Sequence, residues 1–204
     1  MKDRDIRVCV IGDSFVNGTL DPACLGWAGE LCRDAIEMGY DVTYYNLGIR
    51  RDTSADIAAR WRDECVQRLP DDVDGRVVFS FGVNDATIEN GQQRVAVEET
   101  IANLRQMLHE ASQRYATLMI GPPPIADDEQ NARVGHLCGL MAAAAAEIGV
   151  PYLPVFETLI HSPLWMEEVA KYDGAHPRRA GYAELAALVQ AWPEWWFEPR
   201  ADGS

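Results

Sequence analysis

Five short apolar or β-branched runs, the first four cut off by glycine and each separated from the next by a helix-length stretch, constrain this chain more than any other feature. The first runs from Ile6 to Ile11, holds only Arg7 as a polar residue and stops at Gly12. A run so apolar, without alternation, belongs to a strand buried on both faces. Val42 to Leu47, rich in Val, Thr and Tyr, reads as a second strand ending at Gly48. Val77, Val78, Phe79 and Phe81 make a third, closed by Gly82. Leu118 to Ile120 is a fourth, halted by Gly121-Pro122-Pro123-Pro124, and Pro151 to Val155 is a short fifth.

Helical signals fill the intervals. Ala23 to Met38 carries Trp27, Leu31 and Ile36 among its apolar positions, and Gly39 ends it. Thr53 or Ser54 caps a helix to about Leu69, with Ile57, Trp61, Cys65 and Leu69 four apart. Further helices are expected over about Val95 to Tyr115, Glu129 to Ile148 and Arg178 to about Ala191. The stretch between the fifth strand and Asp173 reads as irregular. Strands that alternate with helices imply an α/β fold, a parallel sheet with helices on both faces. No linker or repeat interrupts it, so residues 1–204 read as a single domain. The aromatic tail, Trp192 to Phe197, is expected to pack on the body of that domain.

Charge and cysteines narrow the function. A net charge of -14 repels nucleic acid and anionic membrane surfaces and leaves a neutral or weakly charged small molecule as the easier partner. The five cysteines (Cys9, Cys24, Cys32, Cys65 and Cys138) are odd in number and show no C-x-x-C pair. They read as reduced, mostly buried thiols of a cytoplasmic protein, and no metal or cofactor is expected. The charged start, Met1 to Asp5, has no apolar signal core, and no run is long enough to span a membrane.

Four loops at strand ends then carry the chemistry. The first strand ends in Gly12-Asp13-Ser14, the second in Asn46-Leu47-Gly48 and the third in Gly82-Val83-Asn84-Asp85. The loop before the last helix holds Asp173 and His176. In a doubly wound sheet such loops converge on one edge. A serine hydroxyl is a weak nucleophile that needs a base within hydrogen-bond reach. His176 suits that role, and Asp173 suits the carboxylate that fixes its tautomer. An oxyanion needs preorganised donors, which the Ser14 and Gly48 backbone N–H groups and the Asn84 amide are placed to supply. Asp13 is expected to brace the nucleophile loop.

The plainer readings stay in view. Gly48 and Gly82 also serve as strand terminators, Asn84-Asp85 as a turn and helix cap, and His176 as a structural histidine. For all of them to hold at once, four coincidences are needed. His109, in a polar helical stretch beside Glu110, reads as a surface residue, and His136 and His161 have no motif around them.

The blocks G-D-S-F, N-L-G-I-R-R-D-T-S, G-V-N-D and D-G-A-H-P together resemble those of the SGNH hydrolases, or GDSL lipase/esterase family. That family is named for Ser, Gly, Asn and His, which fall here on Ser14, Gly48, Asn84 and His176. The resemblance implies a three-layer α/β/α, flavodoxin-like fold with a five-stranded parallel sheet in the order 2-1-3-4-5. It implies a metal-free triad of Ser14, His176 and Asp173, with Ser14, Gly48 and Asn84 lining an oxyanion hole. Phe15 departs from the leucine of the family name, at a position that packs rather than reacts. The expected function is a serine esterase acting on a small-molecule acyl ester. A carbohydrate O-deacetylase, a thioesterase or lysophospholipase, and a non-catalytic binding module on the same fold are the alternatives. Oligomeric state is not legible.

Overall fold

The strand β1 (Ile6–Gly12) divides the molecule into its two cores. The structure, a computed structural model, describes residues 5–198. Side chains on a strand alternate between faces. Val8 and Val10 therefore join Trp27, Leu31, Trp165 and Tyr182 on one side of the sheet, while Cys9 and Ile11 join Ile57, Trp61, Leu104 and Met107 on the other. Each face is buried under helices, which is why the run is apolar throughout rather than alternating.

Four further strands join β1 in one parallel sheet: β2 (Val42–Gly48), β3 (Asp74–Ser80), β6 (Ala116–Ile120) and β7 (Tyr152–Leu153), in the order β2-β1-β3-β6-β7. That is the architecture and order expected from the sequence. A small antiparallel hairpin, β4 (Ile88–Glu89) and β5 (Gln92–Gln93), stands apart from it. The chain leaves β1 outward to β2, then crosses back to place β3 on the other side of β1. This reversal opens a crevice at the carboxyl ends of β1 and β3, where ligands bind in open α/β sheets.

The helices follow their caps. α3 (Ser54–Arg68) begins with a reciprocal capping box between Thr53 and Asp56, and α5 (Asp128–Ile148) with the Asp127 carboxylate on the Gln130 N–H. The helix expected from Ala23 starts only at Gly26, as α2 (Gly26–Glu37). The Asp21 carboxylate gathers the N–H groups of Ala23, Leu25 and Gly26 into a turn instead. α4 (Val97–Ser112) and α8 (Arg179–Gln190) fall close to their expected places.

Two features depart from the sequence reading. Ser14–Asn17 forms a one-turn helix, α1, rather than a plain turn. The stretch read as irregular holds α6 (Phe156–Ile160) and α7 (Pro163–Lys171). The second of these was signalled: Ser162 caps the Trp165 N–H, and Pro163 sits at the first helical position, where it loses no hydrogen bond. The tail packs as expected, with Trp195 and Phe197 buried in the Trp27 core. Four cysteines are buried thiols, and Cys24 is exposed.

Candidate active site

The end of β1 delivers Ser14 into the crevice, and a close backbone approach and a helix cap make this possible. A Cβ on Gly12 would lie 1.9 Å from the Ser80 carbonyl oxygen, so only glycine fits there. Asp13 then caps α1, its carboxylate accepting the Phe15 N–H at 3.0 Å. Ser14 is the first residue of α1, and among the described residues its own backbone N–H has no acceptor.

From the other end of the chain comes His176. The loop at residues 173–178 is folded around one carboxylate. Asp173 Oδ1 accepts the backbone N–H groups of Ala175 (3.0 Å) and His176 (2.8 Å), and Gly174 takes the left-handed φ of +79° that this turn needs. Glu168 accepts the N–H groups of Arg178 and Gly181 at 2.8 Å each, standing in for the side-chain cap that α8 lacks. Asp173 Oδ2 is thereby left facing His176 Nδ1 at 2.7 Å, and His176 Nε2 lies 2.7 Å from Ser14 Oγ.

A carboxylate only accepts, so Nδ1 carries a hydrogen, and in the neutral ring Nε2 is then the acceptor that faces the Ser14 hydroxyl. Burial pushes the Asp173 carboxyl up. The His176 backbone N–H, its ring and the Ala175 N–H outweigh that and hold it below the usual carboxylate range. Phe15 packs its ring 5.0 Å from the imidazole, centroid to centroid, so the position that departs from the family name steadies the histidine.

Asn84, in the loop after β3, lines the same cavity. Its Nδ2 donates to Asp13 Oδ2 at 3.2 Å and to the Asp52 carbonyl at 3.0 Å, two acceptors that fix the amide's orientation. Asp13 is fully buried. Burial pushes its carboxyl up to about 7 against the Phe15 N–H, and the carboxylates of Asp85 and Asp52 add to the rise. Asp85 itself anchors the Asn84 loop, accepting the Ser54 N–H at 3.0 Å and the Thr100 hydroxyl at 2.9 Å.

Gly48 does not stand where the sequence reading puts it. It is still in β2, paired with Gly12, and its N–H donates to Asn46 Oδ1 at 3.0 Å. A Cβ there would lie 2.2 Å from the Asn17 backbone nitrogen, so glycine is required for α1 to pack against β2. The loop that reaches the cavity begins one residue later and brings Arg51 to it. Arg51 holds a left-handed φ of 70°, unusual for a side-chain-bearing residue, and its backbone N–H has no acceptor among the described residues. The β4–β5 hairpin holds this conformation. Glu89 pairs with the Arg51 guanidinium, and Arg94 donates to the Arg51 carbonyl at 2.8 Å.

Arg60 was also missed. Its guanidinium reaches from α3 to the carbonyls of Gly12 (3.0 Å) and Leu47 (2.9 Å) and to Asp52 Oδ2 (2.8 Å), tying the ends of β1 and β2 together. On an amphipathic helix such a residue reads as solvated, and no sequence signal marked it. The cavity holding Ser14 and His176 has a volume of about 250 Å³. Among the described residues no cluster of three or more His, Cys, Asp or Glu is arranged to hold a metal ion, and no helix is long and apolar enough to cross a membrane.

The profile of the GDSL-like Lipase/Acylhydrolase family matches residues 10–184. The chain belongs to this family. A curated relative, an arylesterase from Vibrio mimicus, is 25% identical over 185 residues, 90% of this chain and 86% of the relative. Among solved structures, a lipase/acylhydrolase from Enterococcus faecalis superposes with a TM-score of 0.75 at 28% identity, over 90% of this chain and 92% of that one. An acetylxylan esterase from Geobacillus stearothermophilus shares the fold with a TM-score of 0.75 at 20% identity, over 94% of each chain.

Proposed function

We propose that this family member is a serine esterase that hydrolyses short-chain carboxylic esters through Ser14, His176 and Asp173. The observation that carries the reading is the unbroken relay of two 2.7 Å contacts from Asp173 through His176 to Ser14. Ser14 Oγ attacks the acyl carbonyl as Nε2 takes its proton. The resulting imidazolium gives that proton to the leaving alcohol, and Asp173 stabilises the charge in between. Water then attacks the acyl-serine with His176 again as base, releasing the acid and restoring the hydroxyl.

For the oxyanion we assign the backbone N–H groups of Ser14 and Arg51, with the Asn84 amide as third donor. The two N–H groups are unspent and border one cavity, which supports them over Gly48. Asn84 must share or release its longer bond, to Asp13, as the negative charge develops. A cavity of about 250 Å³ suits an acetyl to butyryl group rather than a long chain. The arylesterase relative makes phenolic esters the natural first substrates.

A fluorophosphonate probe tests the reading. Stoichiometric labelling mapped to Ser14, and lost in Ser14→Ala, is expected. Folded protein that stays unlabelled would favour a binding module on the same fold.

A further inference from the structure

Of the polar side chains that line the cavity beside Ser14 and that the mechanism does not use, Gln130 alone is buried. Gln130, in the first turn of α5, is only 7% exposed and lines the wall with Val83, Thr87 and Ile125. Its Nε2 donates to the Val83 carbonyl and to Thr87 Oγ1, both at 2.9 Å. A carbonyl oxygen only accepts, so the amide's orientation is settled. Oε1 is left as an acceptor with no donor among the described residues. The amide cannot easily turn away, because both N–H bonds hold it, and Arg133 pins the same loop by donating to the Ala86 carbonyl at 2.9 Å.

An acceptor fixed in a largely buried wall needs a donor. Water serves when the cavity is open. An ester that fills the cavity expels that water and must replace its hydrogen bond or leave Oε1 unpaired. Sites built this way discriminate strongly against analogues that lack the donor.

Resting on the esterase reading above, we infer that Gln130 is a specificity-determining residue whose Oε1 accepts a hydrogen bond from a hydroxyl close to the scissile carbonyl, so that the preferred substrates are short hydroxyl-bearing esters. The hydroxyl comes either from the acyl group or from a polyol alcohol, and two substrate pairs separate these sources. Ethyl lactate against ethyl propionate varies the acyl side, and glycerol monoacetate against propyl acetate varies the alcohol side.

The measurement is kcat/KM for each pair, divided by the ratio of their hydroxide-catalysed rates. The hydroxyl-bearing member of one pair is expected to be favoured by about tenfold, the worth of one well-made buried hydrogen bond. Gln130→Met should bring that ratio close to one, and Gln130→Glu, which keeps an acceptor, should retain part of it. A preference that Gln130→Met leaves unchanged overturns the inference, as do equal rates within both wild-type pairs. Equal rates leave the esterase reading standing, whereas turnover of no member sinks both. If Gln130→Met does not fold, the wild-type ratios decide.

Discussion

Asp173→Asn separates a carboxylate that sets the tautomer of His176 from one that merely shapes the loop. Oδ1 of Asp173 accepts two backbone N–H groups, at 3.0 and 2.8 Å, and Oδ2 accepts the His176 Nδ1–H at 2.7 Å. An asparagine that keeps the first two bonds puts its NH₂ against Nδ1. The ring must then present Nδ1 as an acceptor and carry its proton on Nε2, where it donates to Ser14 Oγ and no longer serves as base. The opposite amide orientation puts the NH₂ against two backbone donors and breaks the turn. Either way the reactive tautomer is lost, and kcat should fall by about 10⁴, as for the same exchange in a serine protease triad. Hydrolysis of p-nitrophenyl acetate gives kcat, and a thermal melt confirms that the fold is kept. A folded Asp173→Asn variant within tenfold of wild type would refute the assignment.

Three other outcomes are expected. Asn84→Ala should lower kcat by about 10²–10³, the usual loss of one oxyanion donor. Because the folded state keeps the Asp13 proton up to about pH 7 while the unfolded chain releases it near 3.8, this group's contribution to stability should fall as pH rises between those values. Urea unfolding should show a slope of up to about 1.4 kcal/mol per pH unit there, which Asp13→Asn flattens. Arg60→Met removes charged donors from two strand-end carbonyls and should cost about 3 kcal/mol. In a domain of this size that is a fall of about 6–12 °C in melting temperature by calorimetry, and an unchanged melt would show that Arg60 is not the brace it is taken for.

What the sequence disclosed follows from where the physical signals are local. Strand β1 was legible because burial on both faces demands an uninterrupted apolar run; the loops that carry Ser14 and Asn84 were legible because they begin where such runs stop, and the loop of His176 because Asp173-Gly174 and Pro177 mark a turn before a helix. Gly48 was misplaced because a glycine needed for close approach and a glycine that exposes an N–H read alike. Only the register shows that Gly48 is still paired with Gly12 and that the loop opens beyond it. Arg51 could not be found, since its part depends on a left-handed φ that no arginine announces and that a two-residue hairpin stabilises from 38 positions away. Arg60 and Gln130 escaped for the same reason: their partners are distant carbonyls, and helical periodicity does not show which polar residues turn inward.

The most direct test of the account is hydrolysis of p-nitrophenyl acetate by the wild type beside Ser14→Ala. Turnover by the wild type and its near-complete loss in the folded variant is the expected result, since the relay ends on that one oxygen. Equal turnover by both proteins would contradict the account at its centre, because Ser14 would then not be the nucleophile.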